Sequence, residues 1–177
     1  YVLIDDQNMV HVTYGNMFYM DDTPSDGGWS FFPGTNGLMY WNESYGSEEP
    51  VFIAGAPDMD NDGTLNSITD IAYYGSSLSS HPSMGVDANG CIYVSYSSVM
   101  ETLSNGTQNY RNILVTKSCD GGCSWTVPLN VTPGTGFEEC QFASMADLVD
   151  NNINLVYQRD FEPGMAVQGD NDAYVLN

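Results

Sequence analysis

A chain of 177 residues with 3 basic side chains against 23 acidic ones carries a formal net charge of −20. That balance excludes nucleic acid and anionic membrane surfaces as partners, since either requires a cationic face. No apolar run approaches the ~20 residues of a membrane span, and the wealth of Gly, Tyr, Ser, Asn and Asp with few helix signals points to short strands joined by turns.

In chain order, residues 1–54 predict a first unit with strands near 1–4, 9–18, 38–41 and 51–54. Opening on Tyr1-Val2-Leu3-Ile4, the chain reads as starting inside a strand, so a segment of a longer polypeptide is expected. The first long connection, 19–37, contains Trp29, Phe31 and Phe32. Such rings stack on sugars or anchor a protein partner when exposed, or fold back and seal a sheet edge.

The second connection, 55–82, begins with Asp58-Met59-Asp60-Asn61-Asp62-Gly63-Thr64. Carboxylates at positions 1, 3 and 5, glycine at 6 and a backbone carbonyl at 7 form the opening of an EF-hand-like calcium loop. Position 12 is Thr69, with Asp70 one residue later. Calcium held by Asp58, Asp60, Asp62, the Thr64 carbonyl and Asp70 is expected to order this connection; a solvated acidic turn is the alternative.

Residues 83–131 predict a second unit with strands near 83–87, 91–97, 111–117 and 125–131, and 98–110 as a third long connection. A third unit occupies 132–177 and ends in a strand at 174–176. The units are related by an internal repeat. Ser83-Met84-Gly85 and Ser144-Met145-Ala146 are each followed, at one offset, by an alternating strand ending in Tyr96 or Tyr157. Val10-His11-Val12-Thr13-Tyr14 has the same form.

The corner between the last two strands of the second unit is Ser118-Cys119-Asp120-Gly121-Gly122-Cys123-Ser124-Trp125. Its Asp can accept backbone N–H groups, its glycines supply positive φ, and its Trp anchors the returning strand. Ser118, Asp120, Gly122 and Trp125 resemble the Asp-box of sialidase-like (BNR-repeat) β-propellers. In the first unit, Asn42-Glu43-Ser44-Tyr45-Gly46-Ser47 stands where a box would be. The resemblance implies an all-β segment of about two and a half four-stranded blades. Because a propeller closes with 4–8 blades, further sequence or another chain would supply the rest. It also implies that 19–37, 55–82 and 98–110 share the ligand-binding face, and it is similar to secreted or surface-attached propellers of Bacteroidota.

Cys119 and Cys123 bracket the corner, which can bring their Cα atoms within the ~4.4–6.8 Å of a disulfide. They are expected to pair, with Cys91 and Cys140 paired or free. Four cysteines, few lysines and Asn-x-Ser/Thr sequons at Asn42, Asn105 and Asn130 suit a secreted or cell-surface setting.

Sialidases clamp substrate with three arginines and use a Tyr–Glu pair, whereas this chain has only Arg111 and Arg159. Arg159 is a ligand-binding candidate or the partner of Asp160 or Glu162. Glu101, Asp160 and Glu162, at strand ends on the expected ligand face, are the candidates for glycosidic acid–base chemistry. His11 and His81 show no zinc-ligand spacing. The leading expectation is a non-catalytic extracellular module, stabilised by calcium, that binds a glycan or protein partner or serves surface assembly. The alternative is a sialidase-like glycoside hydrolase with catalytic residues partly outside the chain.

Overall fold

The computed structural model describes residues 1–65, 70–134 and 137–165, and the protein is all-β. The first sheet has the order β1 (Val2–Ile4), β2 (Val10–Gly15), β5 (Leu38–Asn42), β6 (Val51–Ala54). All its pairs are antiparallel. Between β2 and β5 a separate hairpin is made of β3 (Phe18–Met20) and β4 (Ser30–Phe32). The central sheet is a second antiparallel meander: β7 (Ser79–Asp87), β8 (Ile92–Ser104), β9 (Asn109–Ser118) and β10 (Leu129–Asn130). Across its open edge, β12 (Leu148–Val149) joins β7 in parallel. A third antiparallel pair, β11 (Glu139–Met145) with β13 (Leu155–Asp160), packs against β7, β8 and β9. The strand expected at 174–176 lies outside the described residues.

Burial patterns explain the layering. In β5, Leu38, Tyr40 and Asn42 are buried while Met39 and Trp41 are half-exposed, the period of a strand covered on one face. The buried face meets the central sheet in one cluster, where Leu3, Leu38, Tyr40 and Ile53 pack against Met84, Ile92, Val94, Tyr96 and Leu114. Fully burying each such side chain contributes roughly 1.5–3 kcal/mol. By contrast, β8 and β9 are buried almost without alternation. Their second face is covered by the third pair and β12, with Ile113 against Cys140 and Ala143 of β11, and Val115 against Met145 of β11 and Val149 of β12.

The repeat seen in sequence extends to backbone detail. Asp5 Oδ1 accepts from the Gln7 and Met9 amides, and Asp87 Oδ1 accepts from the Asn89 and Cys91 amides. Each Asp's second oxygen meets a side chain of the next strand, His11 at 3.3 Å in one case and the Tyr93 hydroxyl at 3.1 Å in the other. In β7 and β11 alike, the register shifts just before the Ser-Met pair, between Ser80 and Ser83 and between Gln141 and Ser144. The bulged residues, His81 (φ 51°) and Phe142 (φ 54°), are both left-handed, a conformation residues with a Cβ rarely adopt.

Three expectations are corrected. Residues 98–110 form no long connection. β8 runs on to Ser104 and β9 begins at Asn109, because Val99 and Met100 are buried and Asn109 Nδ2 donates to the Met100 and Glu101 carbonyls. The strand expected at 125–131 contracts to Leu129–Asn130. The disulfide joins Cys91 to Cys119, not Cys119 to Cys123. Pairing of Ile92 with Ser118 sets the two flanking cysteines opposite each other, Cα to Cα 4.1 Å, while Cys123 is exposed and free and Cys140 buried and free. Of the sequon asparagines, Asn42 is buried, and its amide donates to the Tyr40 hydroxyl and the Gly121 carbonyl.

Candidate functional site

The Ser118–Trp125 corner is a folding device. Ser118 Oγ accepts the Gly122 amide at 2.9 Å and donates to Asp120 Oδ1. Asp120 also accepts from the Ser124 amide and hydroxyl, and these bonds, Ser124's first, lower its pKa to about 2. Trp125 Nε1 donates to the Gly122 carbonyl, and its ring stands edge-on to Tyr40. Gly122 has φ 92°, and a Cβ there would overlap the Tyr40 ring. The Cys91–Cys119 bond links this corner to the Asp87–Cys91 turn, so both belong to one end of the central sheet. In the first sheet, Asn42 instead caps a single 3-10 turn over Glu43–Tyr45.

The acidic loop is wound around its own carboxylates. Asp58 accepts the Asp62 and Gly63 amides, Asp60 the Asp62 amide, and Asp62 the Thr64 amide and hydroxyl. One oxygen from each of Asp58, Asp60 and Asp62 lies within 4.8 Å of the others, a spacing that fits ligands around one hard cation. Asp60 has a raised pKa: the Asp62 amide lowers it, but desolvation, the Asp62 and Glu101 charges and a bond with Asp58 outweigh that. Asp70 is exposed and outside the cluster, so the expected closing carboxylate is not brought in. Thr69 lies outside the described residues. Glu101, fully buried in β8, stands behind the loop instead and accepts the Met59 amide at 2.7 Å.

The candidate acids therefore occupy separate settings. Glu101 supports the acidic loop, Asp160 at the end of β13 accepts the Phe161 amide, and Glu162 accepts from Asn105 Nδ2. Arg159 is paired with neither Asp160 nor Glu162; its ion pair is with Glu138 at 3.4 Å, and its guanidinium lies over Phe161.

The aromatic connection becomes a free-standing hairpin. Phe18 pairs with Phe32, Tyr19 with Phe31 and Met20 with Ser30. Tyr19, Trp29 and Phe31 pack ring on ring, and Phe31 meets Tyr73 of the next connection edge-on. The rings stay open to solvent, with Trp29 61%, Phe18 55%, Tyr19 54% and Phe32 42% exposed. A two-stranded hairpin is marginal alone in water, and this one is anchored at its base by Thr35, whose hydroxyl bonds the Phe32 carbonyl and meets the Phe18 amide.

One cluster escaped sequence reasoning. Arg111 of β9 is fully buried; its Nη1 donates to the Leu78 carbonyl and Ser80 Oγ, and the Tyr74 ring covers its Cζ at 5.5 Å. Buried Glu139 of β11 accepts the Arg111 backbone amide at 2.6 Å. Burial pushes the Glu139 carboxyl up to about 7, against the opposing influence of the Arg111 amide and charge. Burial likewise lowers the pKa of His81, aided by the Arg111 charge. His81 Nδ1 meets both Ser80 Oγ and Gln141 Oε1. No sequence signal joins Arg111 to Glu139, because the contact depends on how the third pair stacks on the central sheet.

Comparison with protein-family models, curated proteins and solved structures finds no match for this chain.

Proposed function

We propose that this chain is part of an extracellular, non-catalytic binding module of β-propeller type that engages a glycan or protein partner through the connection between β2 and β5. The observation that carries the functional reading is the β3–β4 hairpin. It adds no strand to either main sheet and leaves Tyr19, Trp29 and Phe32 open to solvent, whereas apolar rings without a partner would ordinarily be buried. Asp21, Asp22 and Asp26 follow or precede these rings and offer acceptors for hydroxyl or cationic groups.

The propeller reading is supported by meanders stacked face to face, by the matched Asp turns and bulges, and by the Asp-box-like bonding of Ser118, Asp120, Gly122 and Trp125. It is supported also by apolar residues on both outer flanks. Val2, Ile4 and Tyr14 are exposed on one side and Leu148 and Val156 on the other, where further blades would pack. Calcium at Asp58, Asp60 and Asp62 belongs to the same proposal, as a brace for the 55–65 segment against Glu101. A sialidase-like hydrolase is the second reading. Its one favouring observation is that Tyr74 stands beside Glu139 and Arg111; against it, Arg111 and Glu139 are closed to solvent and Glu101, Asp160 and Glu162 do not meet.

Screening the whole chain and its Tyr19→Ala/Trp29→Ala variant on a glycan array and against surface-protein extracts tests the reading. Binding by the parent that the variant loses supports it. Equal binding by both would move the site away from the hairpin. Hydrolysis of any arrayed glycan would favour the second reading.

A further inference from the structure

The rings of the β3–β4 hairpin lack what other rings of this chain have. Each of the three basic side chains already lies over an aromatic face: Arg111 over Tyr74 at 5.5 Å, Lys117 over Tyr93 at 5.6 Å and Arg159 over Phe161 at 5.8 Å. Tyr19 and Trp29 are 54% and 61% exposed, with centroids 5.5 Å apart, and no cation covers them among the described residues. Residues 1–110 contain no Lys or Arg at all.

The turn joining the two strands adds charge to this surface. Asp21, Asp22 and Asp26 are all exposed, and none is in an ion pair among the described residues. Asp26 is fixed close to Trp29 by accepting the Gly28 amide at 2.7 Å. Rings and carboxylates together suit an organic cation: a ring face attracts it within about 6 Å of the centroid, and carboxylates accept its charge-assisted hydrogen bonds. A neutral sugar would stack on the same rings but desolvate the carboxylates without compensating their charge. In addition, β3 and β4 pair only with each other, which leaves outer edges that an extended segment can join through its main chain.

We propose that the partner of the hairpin is a protein segment: an extended, basic stretch whose Arg or Lys side chains lie over Tyr19 and Trp29 and pair with Asp21, Asp22 and Asp26. This rests on the reading that the hairpin is the binding surface, and narrows it to one chemical class. Arg suits the surface better than Lys, because a planar guanidinium stacks on a ring while bonding a carboxylate in its own plane. The net charge of −20 steers such a segment towards the chain, and the rings decide where it stays.

Fluorescence anisotropy on the whole chain tests this, with a short labelled peptide of alternating Thr and Arg as the probe. Its counterpart with citrulline for Arg keeps the shape and removes the charge, and is expected not to bind. Tyr19→Ala/Trp29→Ala is expected to weaken binding of the Arg peptide about tenfold. Asp21→Asn/Asp22→Asn/Asp26→Asn keeps the rings and is expected to weaken it about tenfold and flatten its salt dependence. Glu48→Gln/Glu49→Gln removes exposed charge beyond the far end of β5 and is expected to change affinity less than about twofold. Equal weakening by the Glu48/Glu49 and Asp variants, or none by the ring variant, would reduce the binding to overall charge and overturn the proposal. Equal binding of the citrulline peptide, or no binding of the Arg peptide, would overturn it too. Ring-dependent binding of a glycan in place of the Arg peptide would overturn this inference while leaving the hairpin as the binding surface.

Discussion

The first sheet and the central sheet are built on one plan and completed differently. Both are four-stranded meanders, and both close their first turn with an Asp that gathers two amides and one side chain of the following strand. They part at the connections. Between its second and third strands the central sheet spends a tight turn at 105–108, held by Asn105 accepting the Thr107 and Gln108 amides. The first sheet places there the whole aromatic hairpin. The central sheet's corner is a bonded knot locked by a disulfide; the first sheet's is one 3-10 turn. Strand cores therefore specify the scaffold, and the variation that function can use is confined to the connections.

The largest expected effect on that contrast is reduction of the disulfide. Cys91 and Cys119 are 28 residues apart, and closing such a loop constrains the unfolded chain by about 3–4 kcal/mol. Cys91→Ser should lower the urea midpoint accordingly, while Cys123→Ser should leave it in place. A shift on Cys123→Ser alone would restore the local pairing read from the sequence.

Next comes Glu139. Its folded pKa of about 7 lies above the ordinary carboxyl value of 4.5, so the native state binds the proton more tightly than the unfolded chain. Stability is therefore full below the unfolded pKa and declines as pH rises through about 7, by about 3 kcal/mol. Glu139→Gln should flatten urea-derived stability between pH 4.5 and 7. Asp120 acts in the opposite sense: its lowered pKa adds stability above the ordinary carboxylate range that is lost as pH falls through about 2. No such matched acid stands in the first sheet's corner.

The two corners can also be compared glycine by glycine. Gly122→Ala combines positive φ with overlap on Tyr40 and should cost about 2–4 kcal/mol. Gly46→Ala has positive φ but open space around the new methyl, and should cost only about 1 kcal/mol. Equal losses in denaturant titrations would show that both corners bear on the core alike. Smallest of all, Trp29→Ala should change stability by no more than about 0.5 kcal/mol, because the ring is exposed, even as it removes partner binding.

The sequence made the first sheet legible because one face is covered: alternation along Leu38-Met39-Tyr40-Trp41 marks a strand and its buried side at once. The central sheet was harder to read for the opposite reason. Covered on both faces, it buries Ser95, Ser97, Ser98, Asn109 and Asn112, residues whose polarity imitates a connection, so 98–110 reads as a loop. The disulfide was hidden because it depends on strand register, which matters more than the short spacing of Cys119 and Cys123. The acidic cluster is legible from local spacing, but its backing acid, Glu101, reads as a catalytic candidate because its neighbour lies 42 residues away. Arg111 and Glu139 left no local pattern; they meet only where two sheets stack.

Amide hydrogen exchange on the intact chain tests the division between scaffold and connection most directly. Amides of Ile113 to Thr116, at the centre of β9 and covered on both faces, should exchange only through global unfolding. Those of Phe18 to Met20 and Ser30 to Phe32 should exchange through local opening costing no more than about 1–2 kcal/mol, with the other first-sheet strands between. Hairpin amides as protected as those of β9 would make the hairpin part of the core and contradict the account.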